Sequence, residues 1–313
     1  MKKFKLQDLI FLLIFYLFIT PVSIASSSQQ TTAINNLLKT SASLPMQQRI
    51  ERISNYFINV PYQLEPLGEG RAGQFNQEPL YRFDKFDCQT YVSTVLALAN
   101  SCNFDSFTRN IQLIDYENGK ISFTTRNHFT DGDWVPNNIK QGFIKDINYQ
   151  VAGKKVMYAT TLIDKENWIK NLTAERIHID NLTTPEINIK LLQLHQLSHS
   201  VKNKWYSLPY IPASALFIGQ QKIPGDIFND IPSGAIILIV HPVTNINNNT
   251  INGNTTVVHM GLTVRYNHQL YIREASSYFG RVIDVPLINY LLFVNPMSDK
   301  QGISLFMPVS YVR

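Results

Sequence analysis

Apolar residues recur at helical spacing between residues 32 and 58, in two sets separated by Ser43 and Pro45, which suit a helix start. These positions are Ile34, Leu37, Leu38, Ile50, Ile53 and Phe57. The pattern predicts a helical N-terminal region, residues 26–58, that packs on a core. Residues 59–86 are instead rich in Pro, Gly and aromatic residues, which indicates a shaped loop.

A third helical pattern begins directly after this loop, at residues 88–100. Its apolar positions share one broad face, and they are Tyr91, Val92, Val95, Leu96 and Ala99. Asp87 precedes the pattern and is a favourable N-cap residue. The sequence therefore predicts a helix whose first turn contains Cys88.

The C-terminal half has the pattern of β-strands. Gly234 leads an apolar run at 235–240, and two further runs at 255–266 and 269–275 are joined at Asn267 and His268, which predicts a hairpin. The segment around 139–204 mixes β-branched runs with polar turns, and we interpret it as an insertion or lateral wall of the domain.

The first 25 residues have the pattern of a signal peptide. Three lysines occur within the first five residues, an apolar run follows at 9–20, and Ser23 and Ala25 have the spacing that signal peptidase prefers. A retained membrane anchor is the alternative, but the run is shorter than the roughly 20 apolar residues of a spanning helix. We expect cleavage, a periplasmic or secreted protein, and no membrane association afterwards.

The composition is that of an ordinary globular protein, so we expect residues 59–313 to form one domain that carries the insertion. The formal net charge of +5 includes the lysines of the signal peptide. Basic residues are scattered and no nucleic-acid motif occurs, so a nucleic-acid partner is not expected. The mildly basic chain suits an anionic wall polymer, and we expect a monomer.

Two cysteines in an exported chain suggest a disulfide. The predicted helix, at about 1.5 Å per residue, places Cys88 roughly 20 Å from Cys102, however, whereas a disulfide needs Cα atoms within about 7 Å. Both thiols are therefore expected to be free.

Cys88 is the candidate nucleophile. In the first helical turn, unpaired backbone N–H groups and the positive end of the helix dipole stabilise a thiolate. The alternative is a buried structural cysteine, and this is our interpretation of Cys102. Tyr62 could add a phenolic oxyanion donor beside the backbone N–H of Cys88, or it could simply pack in the loop.

His259 is the candidate base, because a polar residue inside the apolar run 257–261 needs a partner. In the predicted hairpin, residues whose numbers sum to about 535 stand opposite each other, which brings Glu274 near His259 as an orienting acceptor. A surface pair of Glu274 with Arg273 or Arg265 is the alternative. His241, at a strand end, is the rival base.

No metal or other cofactor is expected. His195 and His199 are four residues apart, but the segment between them lacks the glutamate of a zinc-hydrolase motif. Another polar cluster lies in a predicted loop and could bind a ligand with sugar and carboxylate parts; it consists of Arg126, His128 and Trp134. A structural turn is the alternative reading of that cluster.

Several segments together resemble the N-acetylmuramoyl-L-alanine amidase-like family, in the NlpC-type branch of the papain-like superfamily. They are FDCQTYV at 86–92, RNHF at 126–129 with Asp133 and Trp134, LPYIP at 208–212, HMG at 259–261, and ASS at 275–277 with Pro286, Leu287 and Tyr290. The similarity extends from about Tyr56 to the C-terminus.

The resemblance implies a papain-like α+β fold, with the catalytic Cys at a helix N-terminus packed on an antiparallel sheet that carries the His. It also implies a hydrolase of muropeptides, acting at the bond between N-acetylmuramic acid and L-alanine. By position, Cys88 is the nucleophile, His259 the base and Tyr62 the oxyanion tyrosine. The family often has His where this chain has Glu274.

Asp87 and Tyr210, within the matching segments, join the candidate substrate-binding residues. One alternative keeps the chemistry but moves the cut to the bond between D-glutamate and the diamino acid. A third reading is an inactive wall-binding protein that retains the fold.

Overall fold

The computed structural model describes residues 27–219, 223–242, 254–294 and 301–310. The predicted signal peptide, residues 1–25, lies outside the described residues. Within the described ranges, no helix has both the length and the apolar character that crossing a membrane requires.

Helices are concentrated in the first two thirds of the chain. They are α1 (Ser27–Ser41), α2 (Met46–Tyr56), α3 (Cys88–Ala99), α4 (Phe104–Asp115), α5 (Val135–Gln141), α6 (Asn148–Ala152), α7 (Lys165–Lys170), α8 (Thr184–Gln196), α9 (Ala213–Leu216), α10 (Ile227–Asp230) and α11 (Leu287–Val294). The predicted N-terminal helices and the predicted helix after Asp87 are confirmed.

One eight-stranded antiparallel sheet forms the centre of the molecule. Its strands are β1 (Ile144–Asp146), β2 (Met157–Ile163), β3 (Lys204–Pro212), β6 (Ile236–Val240), β7 (Val257–Tyr266), β8 (Gln269–Ser276), β9 (Arg281–Pro286) and β10 (Gly302–Pro308). They are arranged in the order β2-β3-β10-β6-β7-β8-β9, and β1 pairs with β10. A separate two-stranded ribbon pairs β4 (Phe217–Ile218) with β5 (Ile223–Pro224). The predicted α+β class with an antiparallel sheet is confirmed.

The main core lies between one face of the sheet and α3. From Thr90 to Ala99 every residue of α3 is buried, and all five residues of β6 are buried too. An all-round apolar helix is stable only when other elements enclose it. Here α2, α4 and the sheet enclose α3, so its first residue is held at a fixed place at the edge of the core.

A buried arginine joins the N-terminal helices to the sheet. Arg273 on β8 forms a two-pronged ion pair with Asp284 on β9, with N···O distances of 2.6 and 2.7 Å. Its Nη1 also donates to the carbonyl of Glu51 and to Oγ of Ser54, both on α2. The guanidinium thereby fixes α2 against the strands next to the candidate site.

The segment 139–204 is partly built into the sheet. Its strands β1 and β2 pair with β10 and β3. The rest of the segment forms a lateral layer. This layer and the neighbouring loops share a small hydrophobic cluster, which consists of Phe75, Phe123, Phe129, Ile163, Trp168, Ile169, Leu172, Ile177 and Leu194. This layer covers the side of the domain next to residues 123–134.

Candidate active site

Cys88 is the first residue of α3, and a complete capping box fixes that helix start. Oδ1 of Asp87 accepts from the backbone N–H of Thr90 at 2.8 Å, and Oγ1 of Thr90 accepts from the backbone N–H of Asp87 at 2.9 Å. Oδ2 of Asp87 accepts from the backbone N–H of Glu65 at 3.0 Å. Both carboxylate oxygens therefore bind backbone, which makes Asp87 a positioning residue for Cys88 and for the loop around Glu65.

Both cysteines are free, as predicted. Cys88 is half-buried, whereas Cys102 is exposed beyond the end of α3. Cys88 lines a cleft at the start of α3 together with His259.

The imidazole of His259 contacts the carboxylate of Glu274 through Nε2 and Oε2. Glu274 is only 3% exposed, so this contact is shielded from water. The alternative partners of Glu274 are excluded by their own contacts, since Arg273 pairs with Asp284 and Arg265 donates to main-chain carbonyls. Because Nε2 faces Glu274, Nδ1 is the ring nitrogen that is left for the thiol.

Hairpin register places Glu274 on the same face as His259. The turn at Asn267 and His268 has two positive φ angles, as a tight hairpin requires, and the pairing Leu262↔Arg273 has the predicted sum of 535. One further step of this register sets Gly261 opposite Glu274. A Cβ at Gly261 would stand 2.8 Å from the carbonyl oxygen of Arg273, so the close approach of the strands requires glycine.

Asp131 anchors the beginning of β7, three residues before the candidate base. Its fully buried carboxylate accepts from the backbone N–H of Thr256 at 2.6 Å and from the hydroxyls of Thr255 and Thr256. The next residues contain a bulge, because Ile239 pairs with His259 while Val240 pairs with Val257. The anchor and the bulge together set the direction of the His259 side chain.

The electrostatic surroundings of His259 favour its protonated form. Burial by itself lowers the pKa of the imidazole, but hydrogen bonds to Cys88 and Glu274, together with their negative charges, outweigh burial and raise the pKa to about 10. The imidazole therefore acts as a cation beside the thiol over the neutral range.

Two tyrosines flank this pair. Tyr62 lines the same cleft as Cys88, and burial followed by the nearby charges of Cys88, Asp87 and Glu65 raises its pKa to about 12, so the phenol keeps its proton. Tyr290 on α11 stacks against His259 with ring centroids 6.1 Å apart. The sequence patterns did not assign a role to Tyr290, because only the packing of α11 on the sheet brings it there.

The cleft has a volume of about 240 Å³ and contains Tyr62, Asp87, Cys88, Arg126, His128 and His259. Nη1 of Arg126 donates to the carbonyl of Leu67. Oε1 of Gln89 accepts from the hydroxyl of Thr130 at 2.9 Å, and this bond fixes the 126–130 segment against α3. Six of the predicted site residues thus share one cavity, with Glu274 behind the imidazole.

Trp134 and Tyr210 do not reach this cleft, contrary to the prediction that they contact substrate. Trp134 is completely buried and donates through Nε1 to Oγ of Ser93 at 2.9 Å, and Ser93 donates to Asp115 at 2.6 Å. Tyr210 is 3% exposed within the main core. Both aromatic rings bury more apolar area inside the fold than a rim position would allow.

His195, His199 and His241, the remaining histidines considered above, do not line this cleft. His195 bonds the carbonyl of Leu172 through Nε2, and His241 follows β6 without lining the cleft. Across the described ranges, no group of three or more His, Cys, Asp or Glu side chains is arranged to hold a metal ion.

Comparison with known structures finds several proteins that share this fold. A crystal structure of a Legionella pneumophila protein is 35% identical, with a TM-score of 0.83, and the match covers 90% of this chain and 95% of that one. An N-acetylmuramoyl-L-alanine amidase from Bacteroides uniformis has the same fold at 23% identity, with a TM-score of 0.59, covering 84% of this chain and 98% of that one. No curated protein matches the sequence.

The family model described as N-acetylmuramoyl-L-alanine amidase-like matches residues 52–296. That range includes Tyr62, Cys88, His259 and Glu274, and it is most of the chain. The protein therefore belongs to the N-acetylmuramoyl-L-alanine amidase-like family.

Proposed function

We propose that this protein is an exported cysteine amidase of papain-like, NlpC-type architecture. Its substrate is a peptidoglycan fragment, and it hydrolyses the amide bond between N-acetylmuramic acid and L-alanine. The observation that carries the proposal is the capped helix start of Cys88 in one cleft with His259, whose imidazole is backed by Glu274. Family membership supports the amidase class and the wall-derived substrate.

In the proposed reaction, the Cys88 thiolate attacks the lactyl carbonyl carbon of the muramic acid, and a C–S bond forms. The tetrahedral intermediate collapses when the C–N bond breaks and the imidazolium of His259 gives its proton to the leaving amine of L-alanine. Water then attacks the thioester with His259 as base. The C–S bond then breaks, which releases the muramic acid carboxyl group and leaves the Cys88 thiolate beside the imidazolium of His259. The other product is the free peptide, and the carboxyl group loses its proton to water.

Two donors are available for the oxyanion of the intermediate. The backbone N–H of Cys88 belongs to the first turn of α3, where N–H groups have no acceptor within the helix, and the protonated phenol of Tyr62 lines the same cleft. Glu274 keeps the imidazole in the orientation and tautomer that leave Nδ1 toward the thiol.

Mass spectrometry of digested muropeptides tests the proposal. We expect an intact stem peptide with a free L-alanine amine, with loss of activity in Cys88→Ala and full activity in the matched Cys102→Ala variant. Release of a fragment cut after D-glutamate would assign the endopeptidase activity instead. Wall binding without turnover, together with a Cys88 that does not react with iodoacetamide, would identify an inactive wall-binding protein.

Export is tested separately, because it concerns residues 1–25. Expression of the full chain in a bacterial host, followed by fractionation and N-terminal sequencing, should give a periplasmic or secreted protein that begins near residue 26. A full-length protein retained in the membrane fraction would show that the apolar run is an anchor.

A further inference from the structure

Two arginines from distant parts of the chain line the cleft that contains Cys88. Arg126 directly follows the short 3₁₀ turn Phe123–Thr125, and Arg176 ends the turn Ala174–Arg176 in the lateral layer. Guanidinium groups are the side chains best suited to bind a carboxylate with two parallel hydrogen bonds. Their presence in one small cleft therefore points to an anionic group on the ligand.

Arg176 is attached to a rigid part of the lateral layer. The backbone N–H of His178 donates to the carbonyl of Phe75 at 2.9 Å, and the backbone N–H of Gln77 donates to the carbonyl of His178 at 2.7 Å. These bonds tie the lateral layer to the loop that precedes α3. From this support, the guanidinium of Arg176 forms an ion pair with Glu65 on the wall that contains Asp87.

The acidic residues of the cleft are not equally available. Oε2 of Glu69 accepts from two backbone N–H groups at 3.0 Å, and both oxygens of Asp87 are also bound. Glu65 is different, since its side chain is 47% exposed and its partner Arg176 is 33% exposed. Arg126 has no ion pair with any carboxylate of the described residues. The cleft thus holds two guanidinium groups and one readily displaced carboxylate.

Positive charges also surround His128, a histidine that lines the same cleft. Burial lowers the pKa of His128, and the charges of Lys165, Arg126 and Arg176 lower it further, so the ring is neutral. Its Nε2 bonds the carbonyl of Phe123 at 2.8 Å and must therefore carry the proton. Nδ1 is then an acceptor, and the cationic groups nearby remain the anion-binding elements.

We infer that Arg126 and Arg176 form a carboxylate-binding subsite and that Arg176 is a specificity-determining residue. The ligand is the free α-carboxylate of the glutamyl residue in the stem peptide, and Glu65 pairs with Arg176 when this ligand is absent. The inference rests on the proposed function, in which the peptide is the leaving group. The glutamyl residue is joined through its γ-carboxyl and directly follows L-alanine, so its α-carboxylate is free or amidated.

A pair of small substrates tests this inference, namely N-acetylmuramoyl-L-alanyl-D-glutamate and N-acetylmuramoyl-L-alanyl-D-isoglutamine. They differ by one charge at the α-carboxyl group. We expect the wild type to prefer the acid by about 10- to 100-fold in kcat/KM, as charge-assisted hydrogen bonds would give. Arg176→Met should reduce this preference to within about threefold, Arg176→Lys should keep part of it, and Arg109→Met, on the exposed face of α4, should keep all of it.

Glu65→Gln keeps the guanidinium of Arg176 and removes the carboxylate that pairs with it. Without the competing carboxylate, Arg176 is free before substrate arrives, so the KM for the acid should fall several-fold while the KM for the amide stays unchanged. Equal effects of Glu65→Gln on both substrates would contradict the displacement of Glu65.

Calorimetry separates a failure of this inference from a failure of the proposed function. Titration of Cys88→Ala with the two compounds should show tighter binding of the acid, and Arg176→Met in the same background should remove the difference. Equal binding of acid and amide overturns the inference even if the amidase activity is present. If the wild type hydrolyses neither compound, the proposed function fails and the binding difference alone decides the inference.

Discussion

His259 and Glu274 face each other from β7 and β8, and Nε2 of the imidazole contacts Oε2 of the carboxylate. The hairpin register that brings these two side chains to one face places Gly261 opposite Glu274, where a Cβ would stand 2.8 Å from the carbonyl oxygen of Arg273. A buried carboxylate at this position both orients the imidazole and stabilises its positive charge.

Replacing Glu274 with Gln should lower activity by about 10²- to 10⁴-fold, because the ring loses its orienting charge. The pKa of His259 should fall from about 10, because the lowering effect of burial is then no longer opposed by the charge of Glu274. The alkaline limb of the kcat/KM profile should accordingly move to lower pH. Glu166→Gln, a change on the surface helix α7, is the control. An unmoved alkaline limb in Glu274→Gln would show that another group tunes the imidazole.

The raised pKa of His259 also affects stability. Because the folded-state pKa lies above the ordinary value of 6.5, the protonated ring contributes stability that is complete below about pH 6.5 and is lost as pH rises toward 10. Thermal denaturation across this range should show a larger loss for the wild type than for His259→Gln. Parallel curves for the two proteins would contradict the assignment.

Tyr62→Phe should lower kcat by about 10²-fold or more with little change in KM, because the phenol donates only to the oxyanion of the intermediate. Tyr158→Phe, on the exposed edge strand β2, should leave both constants unchanged. Kinetics on a purified muropeptide measure the difference. An unchanged kcat in Tyr62→Phe would show that Tyr62 packs in the loop and does not donate to the oxyanion.

Trp134→Phe should destabilise the protein by about 1–2 kcal/mol without changing KM, since the indole N–H bonds only Ser93 inside the core. Denaturant unfolding and steady-state kinetics together check this expectation. A raised KM with unchanged stability would support the predicted contact of Trp134 with substrate.

Asp115 is a buried acid whose pKa is raised to about 6 chiefly by burial. The folded protein therefore binds this proton more tightly than the unfolded chain, so stability is lost as pH rises from about 3.8 to about 6. Asp115→Asn keeps the acceptor for Ser93 and removes the ionisation. Its unfolding free energy should fall less than that of the wild type over this range, by an amount on the order of 2–3 kcal/mol. Identical pH dependences would exclude Asp115 as the source.

Local sequence determined the two elements that carry the candidate catalytic groups. The N-cap Asp87 and the apolar face after it predicted the helix that begins at Cys88, because capping and helical periodicity act within a few residues. Turn chemistry at Asn267 and His268 predicted the register of β7 and β8, because a two-residue turn leaves one pairing of the flanking strands.

Only the tertiary structure decided which distant side chains share the cleft. Trp134 and Tyr210 have residue types that suit a binding site, yet packing buries both. Arg176 gave no local signal, and Tyr290 entered only through the family resemblance, without a role. Both reach the site because the lateral layer and α11 pack beside it. Periodicity and turn residues specify elements within the chain, whereas the neighbours of a side chain depend on how all the layers bury their apolar faces together.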